Sequence, residues 1–198
     1  MQLFEDIWND KNLINALQRN DVVIMPTDTL YGLVGKALNS STVERIYNLK
    51  KRALKKPCII LIGNVNQLEK FSIVLSEEQK STLQKYWSFD FTQDLRPSPT
   101  SIVLDCPGKS LSYLHRGTKT LAFRVPSPET LRNLLLKVGP LIAPSANPDG
   151  LPPAQNISEA QKYFGDLVDL YIDGGEINNK HSKLIKLHKD GSISILRE

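Results

Sequence analysis

The sequence contains little cysteine, little histidine and no long apolar run, and each shortage excludes a class of protein. Two cysteines, Cys58 and Cys106, are too few for a disulfide framework, and neither has a CxxC partner. The three histidines show no metal-binding spacing, so we expect no structural metal. The longest apolar runs, such as 58–62, are far shorter than the roughly 18 residues that a membrane-spanning helix needs. These absences indicate a soluble protein without a thiol nucleophile.

Three further motifs are missing or incomplete. The start, MQLFEDIWND, has no basic segment followed by an apolar one, so we expect a cytoplasmic location. No GxSxG occurs, which argues against a covalent hydrolase. PGKS at 107–110 resembles the end of a phosphate-binding P-loop, but Val103 stands where that loop requires glycine. We interpret PGKS as a chance match.

The composition is typical of a mildly basic globular chain. With 198 residues, of which 40% are apolar, the chain can bury a sizeable core, and we predict one domain over 1–198. Lys and Arg outnumber Asp and Glu by 25 to 21, which gives a net charge of +4. This excess favours polyanionic ligands weakly and is compatible with a nucleotide or RNA.

The hydrophobic pattern predicts an α/β fold with a mixed sheet. Short apolar runs typical of strands occur at 22–26, 58–62, 101–104, 121–125, 141–144, 170–172, 184–187 and 192–196. Helical patterns occur at 13–17, 41–52, 76–87, 127–139 and 158–164, and a polar loop with prolines at 89–100. Because helices and strands alternate at first and the end is strand-rich, we predict a mixed β-sheet with flanking helices.

Two helix starts carry capping signals. Ser41 and Glu44 have the spacing of a capping box. Ser127 precedes Pro128, and proline is favoured at the first position of a helix. We therefore expect Ser41 and Ser127 to be N-caps.

Polar side chains follow the first predicted strand directly. VVIMPTDTLYGLV at 22–34 places Thr27, Asp28 and Thr29 between two apolar stretches. Pro, Asp and Thr all favour turns, so the segment is compatible with a simple turn. Open α/β sheets also place ligands at the carboxyl ends of strands. This segment alone leaves both interpretations open.

A cluster of cations ends the second helical pattern. Five of seven residues are basic: Lys50, Lys51, Arg52, Lys55 and Lys56. Cations at a helix C-terminus complement the helix dipole by about 0.3–1 kcal/mol, so a structural role is one alternative. The number exceeds what capping requires, and Arg and Lys together can counter several phosphate charges. The cluster therefore predicts a polyphosphate ligand.

Two later segments carry further polar residues. Ser145 and Asn147 follow a short apolar strand and are either ordinary turn residues or ligands of phosphate, ribose or a base. The tail carries Gly174, Gly175, Ser182 and Arg197 in a glycine-containing loop and two strands.

Taken in this order, the segments resemble the YrdC-like threonylcarbamoyl-adenylate synthases over about residues 10–197. The matching motifs are PTDTLYGL at 26–33, the KxR…P pattern of Lys50, Arg52 and Pro57, RVP at 124–126, SAN at 145–147, GG at 174–175 and LR near the end. The length is similar to the short bacterial form of that family. The resemblance implies a twisted mixed sheet with a large concave cavity that contains the PTDT turn.

The resemblance also implies an activity. Such enzymes join L-threonine, bicarbonate or CO2, and ATP into threonylcarbamoyl-adenylate and release pyrophosphate, with Mg²⁺ accompanying ATP. The product feeds the threonylcarbamoyl modification of adenosine 37 in tRNA, which partner transferase proteins complete. Because the carbamate oxygen attacks the α-phosphorus, no protein nucleophile is needed, and positioning and charge neutralisation should dominate catalysis.

Site residues carried over from matching positions fall into two groups. Lys50 and Arg52 are the candidate catalytic residues. The expected ATP contacts are Lys50, Arg52, Lys56, Ser145, Asn147, Ser182 and Arg197. The expected threonine contacts are Thr27, Thr29 and Thr120.

The sequence departs from the family pattern in four places. Ala53 replaces the proline after KxR, Pro97-Ser98-Pro99-Thr100-Ser101 stands for PGP-x-T, SANPDG for SANxSG, and Ser182-Lys183 for the final ST pair. All four lie in segments expected near the nucleotide.

Two rival functions fit the same fold. One is a non-catalytic protein that binds double-stranded RNA or tRNA through shape and phosphate contacts. The other is a carbamoyl-transfer relative, similar to the module of hydrogenase maturation proteins, which makes a carbamoyl-adenylate without threonine.

Overall fold

The computed structural model describes residues 7–53, 56–87 and 98–198, so the predicted loop at 89–100 lies almost wholly outside the described residues. The strands are β1 (Val23–Pro26), β2 (Tyr31–Lys36), β3 (Ile59–Leu61), β4 (Thr100–Asp105), β5 (Thr120–Arg124), β6 (Leu141–Ile142), β7 (Leu170–Tyr171), β8 (Lys183–Leu187) and β9 (Ile193–Arg197). The α-helices are α1 (Lys11–Gln18), α2 (Ser40–Lys50), α3 (Glu77–Trp87), α4 (Ser112–His115), α5 (Glu129–Val138) and α6 (Ile157–Phe164).

The strands form one mixed sheet in the order β7-β1-β2-β6-β3-β5-β4-β8-β9. The pairs β1–β7, β3–β5 and β4–β8 are parallel, and the other neighbours are antiparallel. The prediction of a mixed α/β sheet with flanking helices is thus confirmed. No helix in the described part of the chain is long and apolar enough to cross a membrane.

Strand β2 is absent from the sequence prediction. The chain does not enter a helix after the PTDT turn but returns at once, antiparallel to β1, with Pro26 opposite Tyr31. Glycine weakens the strand signal, and β2 contains two of them. Gly35 allows close packing, because a Cβ there would lie 2.4 Å from Cγ2 of Thr42 in α2.

Both predicted helix caps are wrong. The N-cap of α2 is Asn39, two residues before Ser41, because Asn39 Oδ1 accepts a hydrogen bond from the Thr42 amide at 2.9 Å. Asn is as favourable an N-cap as Ser, so the earlier residue caps the helix. In α5, Pro128 occupies the cap position without a side-chain hydrogen bond, and Ser127 lies outside the helix.

Helices cover both faces of the sheet. Alternate residues of β1 point to opposite faces: Ile24 belongs to a core cluster that includes Val43 and Ile46 of α2. Val23 belongs to a second cluster that includes Leu134 of α5, together with residues of α1. Burying each such side chain contributes roughly 1.5–3 kcal/mol, so both layers of helices stabilise the sheet that carries the loops at its strand ends.

Candidate active site

Main-chain pairing brings the PTDT turn and the SAN loop side by side. Beyond β6, the chain continues along β2: the Leu33 amide donates to Pro144 O at 2.9 Å, and the Ala146 amide donates to Tyr31 O at 2.8 Å. Gly32 and Ser145 form an isolated antiparallel bridge. Two motifs more than a hundred residues apart therefore share one stretch of sheet.

A cavity of about 230 Å³ opens beside these two motifs. Its polar lining comprises Thr27, Thr29, Arg52, Arg124, Ser145, His181, Ser182 and Arg197. Its remaining walls include Leu30, Tyr31, Gly32, Pro57, Cys58, Ile59, Ala122, Ala143, Pro144 and Leu184. Three guanidinium groups and several hydroxyls around a small volume suit an anionic ligand.

The PTDT segment is both a turn and part of the cavity wall. Thr27 Oγ1 donates to Leu30 O at 2.7 Å and accepts the amides of Thr29 and Leu30 at 3.2 and 3.3 Å. The Thr27 hydroxyl is therefore used mainly by the turn itself. Both interpretations of the segment hold, because Thr27 and Thr29 also line the cavity.

Tyr31 ties the glycine pair of the tail to this turn. Its hydroxyl donates to Gly175 O at 2.8 Å and accepts the Gly174 amide at 2.8 Å. Gly175 has a φ of +74°, a conformation that favours glycine. The GG segment thus has a structural function at the edge of the site.

Arg124 and Asp28 form a buried ion pair in the cavity wall. Arg124 Nη2 donates to Asp28 Oδ1 at 2.8 Å and to Thr29 Oγ1 at 3.2 Å. Sequence reasoning assigned no role to Arg124. The available signal was an arginine at the end of the apolar run LAFR, since a charge is rarely buried without a partner.

Lys50 does not line the cavity. Its ammonium lies beneath the SAN loop, where Nζ donates to Ser145 O and Asn147 O at 2.6 Å and to Asn147 Oδ1 at 3.3 Å. Burial, followed by the charge of Arg52, lowers the pKa of Lys50 to about 8. All three N–H donors are used, so in this structure Lys50 holds the SAN loop, and its contact with a nucleotide stays a prediction.

Arg52 lines the cavity, whereas Lys56 does not. Arg52 Nε donates to Lys56 O at 2.9 Å, and Nη2 donates to Pro57 O at 3.3 Å. The Asp149 carboxylate lies between the two cations, 3.9 Å from Arg52 Nη1 and 3.5 Å from Lys56 Nζ. Lys55, the remaining member of the cluster in this loop, lies outside the described residues.

Within the SAN loop only Ser145 faces the cavity. Its hydroxyl donates to Asn147 Oδ1 at 2.6 Å. The Asn147 amide group donates to Pro148 O and Leu151 O at 3.0 and 2.6 Å, and the residue is buried. Asn147 therefore shapes the loop, and a direct ATP contact by Asn147 stays a prediction.

The tail supplies a further part of the cavity wall. Arg197 Nε and Nη2 donate to Ser182 O at 3.1 and 2.8 Å, and the Ser182 hydroxyl lies 2.8 Å from that of Ser101. His181 also lines the cavity, although its lack of metal-binding spacing had given it no role. Burial, and then the charges of Arg197 and Arg124, lower the pKa of His181, so its imidazole is neutral near pH 7.

One predicted threonine contact lies away from the cavity, and two further observations bear on the chemistry of the site. Thr120 stands at the far end of β5 and is absent from the cavity lining. Burial raises the pKa of the Cys58 thiol, which keeps it protonated near neutral pH. The described residues contain no group of three His, Cys, Asp or Glu side chains able to hold a metal ion.

Comparison with known proteins connects this geometry to a family. The Sua5/YciO/YrdC family model, described as telomere recombination, matches residues 15–198. A threonylcarbamoyl-AMP synthase of Bacillus subtilis is 30% identical over 172 residues, which cover 84% of this chain and 47% of the relative. A putative threonylcarbamoyl-AMP synthase of Methanocaldococcus jannaschii is 31% identical over 175 residues, 88% of this chain and 78% of the relative.

A solved structure agrees with the sequence match. The structure of P. abyssi Sua5 complexed with L-threonine superposes with a TM-score of 0.80 and 28% identity, over 96% of this chain and 54% of that one. The chain thus spans about half the length of this protein and of the Bacillus relative. Because the family model covers nearly all of the sequence, the chain belongs to the Sua5/YciO/YrdC family.

Proposed function

We propose that the cavity synthesises threonylcarbamoyl-adenylate from L-threonine, bicarbonate or CO2, and ATP, and releases pyrophosphate. The observation that carries the proposal is the convergence of Arg52, Arg124 and Arg197 around one small cavity. The names of the two relatives and the threonine complex of P. abyssi Sua5 support the same reaction.

The proposed chemistry needs no nucleophile from the protein. The amine of threonine adds to CO2 and loses a proton, which gives a carbamate. A carbamate oxygen then attacks the α-phosphorus of ATP, the bond to the bridging oxygen breaks, and pyrophosphate leaves. The protonated Cys58 thiol suits a site that works by positioning and by neutralising charge.

The geometry suggests which cations meet the phosphates. Arg52 and Arg197 donate to main-chain oxygens, and within the described residues at least two of the five N–H donors of each make no hydrogen bond. We assign these donors to the triphosphate and the departing pyrophosphate. Ser145 and Ser182 line the wall near them and supply hydroxyl contacts.

We assign the amino-acid substrate to the part of the cavity wall that Arg124 and the PTDT turn form. Arg124 lies there beside Thr29, and its remaining donors suit the α-carboxylate of threonine. Leu30 and the methyl groups of the PTDT threonines provide apolar surface for the substrate's own methyl group.

Mg²⁺ enters this proposal together with ATP. Since the described residues offer no three-ligand metal cluster, the ion would be held chiefly by phosphate oxygens and water, as Mg²⁺ prefers. It would neutralise part of the triphosphate charge beside the arginines.

The product is a reactive mixed anhydride and therefore needs an acceptor. We propose that partner transferase proteins pass its threonylcarbamoyl group to tRNA in the cytoplasm. The net charge of +4 is compatible with direct tRNA contact.

The test is pyrophosphate release with each substrate omitted in turn, Mg²⁺ supplied and CO2 excluded in one arm. The proposal requires release only in the complete mixture, with a threonylcarbamoyl-adenylate mass among the products. Release without threonine, or silence of the folded protein in the complete mixture, would refute it. Turnover only with carbamoyl phosphate would favour the carbamoyl-transfer alternative, and salt-dependent RNA binding without turnover the RNA-binding one.

A further inference from the structure

The ion pair between Asp28 and Arg124 is enclosed by protein on nearly all sides. The side chains are 2% and 4% exposed, and the two groups come from distant segments, the PTDT turn and the end of β5. Arg124 lines the cavity, whereas Asp28 does not. Asp28 can therefore affect a ligand through Arg124 or through its own charge, but not by direct contact.

The pair is not arranged as a purely stabilising contact would be. Asp28 Oδ2 and Arg124 Nε are buried and have no hydrogen-bond partner among the residues that the structure describes. A buried ion pair offsets its desolvation only when its remaining donors and acceptors are satisfied. Folding stability alone therefore does not account for this geometry.

Arg124 also differs from the other cavity arginines. Arg52 and Arg197 donate to main-chain oxygens, and the nearest carboxylate to Arg52 lies 3.9 Å away. Among these three residues, only Arg124 donates to a carboxylate at hydrogen-bond distance in the described chain. Arg124 is therefore oriented by a carboxylate that also compensates its charge, whereas Arg52 and Arg197 are oriented by neutral carbonyl groups.

Resting on the proposed function, we infer that Asp28 is a positioning residue, which orients Arg124 for the carboxylate of the amino-acid substrate. Asp28 and Thr29 both accept from Nη2, which fixes the plane of the guanidinium. Without Asp28 the group can rotate, and its remaining donors no longer face a fixed point. Recognition of threonine would then weaken, while ATP would keep its own arginines.

If Asp28 acted only through its charge, its removal would strengthen the binding of both substrates rather than weaken the binding of threonine. Removing the carboxylate adds one uncompensated positive charge to the cavity wall, which would tighten the binding of ATP and of the threonine carboxylate. A positioning role instead raises the KM for threonine and leaves the KM for ATP nearly unchanged. The two substrates therefore separate the two roles.

The experiment compares Asp28→Asn and Asp28→Glu with the wild-type protein in the pyrophosphate assay. Asp28→Asn should raise the KM for threonine about ten- to a hundredfold, the range for one charge-assisted hydrogen bond, with the KM for ATP within about threefold. Asp28→Glu keeps the charge but displaces the carboxylate, so it should also raise the KM for threonine. A role in charge alone predicts wild-type behaviour for Asp28→Glu.

A matched control removes another Asp–Arg pair. Asp169 pairs with Arg45, and neither lines the cavity. Asp169→Asn should lower the thermal midpoint while both KM values stay at the wild-type level. Effects of Asp28→Asn confined to the thermal midpoint, as in this control, would overturn the inference.

A double substitution tests whether Asp28 acts through Arg124. Threonine titration of folded Arg124→Gln and of Asp28→Asn/Arg124→Gln should give equal affinities, because Asp28 has nothing left to orient. Additive losses would overturn the inference. If active Asp28 variants keep the wild-type KM for threonine, only the positioning role is refuted. If the wild-type protein releases no pyrophosphate in the complete mixture, the proposed function and this role are refuted together.

Discussion

Replacing Lys50 with methionine should destabilise the protein at neutral pH, and more strongly as the pH rises. Lys50 Nζ donates to three oxygens of the SAN loop, and the residue is 1% exposed. Methionine keeps the unbranched stem but leaves Asn147 O without a donor in the described chain, at about 1–3 kcal/mol if water does not reach it. Ser145 O and Asn147 Oδ1 keep the Asn147 amide and the Ser145 hydroxyl as donors, but each loses a hydrogen bond to a charged group, about 1.5–3 kcal/mol. Removing a desolvated charge offsets about 3 kcal/mol of that loss. We expect a net loss of about 2–3 kcal/mol at pH 7, which lowers the thermal midpoint by roughly 5–10 °C.

The pH dependence provides the sharper part of this prediction. The folded protein lowers the pKa of Lys50 from 10.5 to about 8. Between these values the unfolded chain binds a proton that the folded chain has released, so the free energy of unfolding rises with pH. Over the whole interval Lys50 contributes a rise of up to about 3 kcal/mol, which methionine cannot provide.

Urea denaturation of both proteins at pH 7 and pH 9.5 measures the difference directly, because other titrating groups cancel between them. The stability gap between wild type and Lys50→Met should widen with pH. A gap that stays constant would refute a buried Lys50 with a lowered pKa. A Lys50→Met protein as stable as wild type at pH 7 would refute the conclusion that the hydrogen bonds of Lys50 stabilise the SAN loop.

Three further predictions concern ligands and pH. Arg52→Ala should weaken the binding of an ATP analogue by about 1.5–3 kcal/mol in calorimetric titration. Lys56→Ala removes a cation outside the cavity lining and should weaken that binding by less than about 1 kcal/mol. Equal effects of the two substitutions would contradict the assignment of Arg52. Threonine should outcompete serine about 10- to 200-fold, with the adenylate products resolved by mass, and equal use would show that no methyl pocket exists. The folded protein lowers the pKa of His181, so ligand-free stability should fall as the pH drops through about 6.5. His181→Gln should lessen that fall, and an identical pH profile would contradict the shift.

The sequence predicted most strands and helices because their apolar periodicity is local. Strand β2 was not predicted because Gly32 and Gly35 weaken a strand pattern. The sequence alone does not show that β1 and α2 pack so closely against β2 that these two positions require glycine. The N-cap at Asn39 was not predicted because Ser41, two residues later, has a side chain that is equally suitable for capping. Local signals therefore predict that an element exists better than where it begins.

The sequence also predicted only part of the candidate site. Motif order indicated that Thr29, Arg52, Ser145 and Arg197 belong together, and the structure brings all of them to one cavity. The sequence could not show that Lys50 turns under the SAN loop, because its acceptors lie 95 and 97 residues away. A basic cluster predicts charge near a ligand, but the direction of each side chain depends on tertiary packing.

The anchoring of the cations suggests how one cavity can serve two different substrates. Arg52 and Arg197 are held by main-chain oxygens, which are dipoles, and Asp149 stays 3.9 Å from Arg52 Nη1, so the positive charge of both side chains is less compensated than that of Arg124. ATP carries several negative charges, so the proposed nucleotide side needs uncancelled cations. Threonine is a zwitterion without net charge, and the arginine proposed for it is compensated by Asp28. If Asp28 were placed beside Arg52 or Arg197 instead, it would compete with the phosphates for the same donors. The charge balance of the cavity thus follows from which cations are bound by carbonyl oxygens and which by a carboxylate.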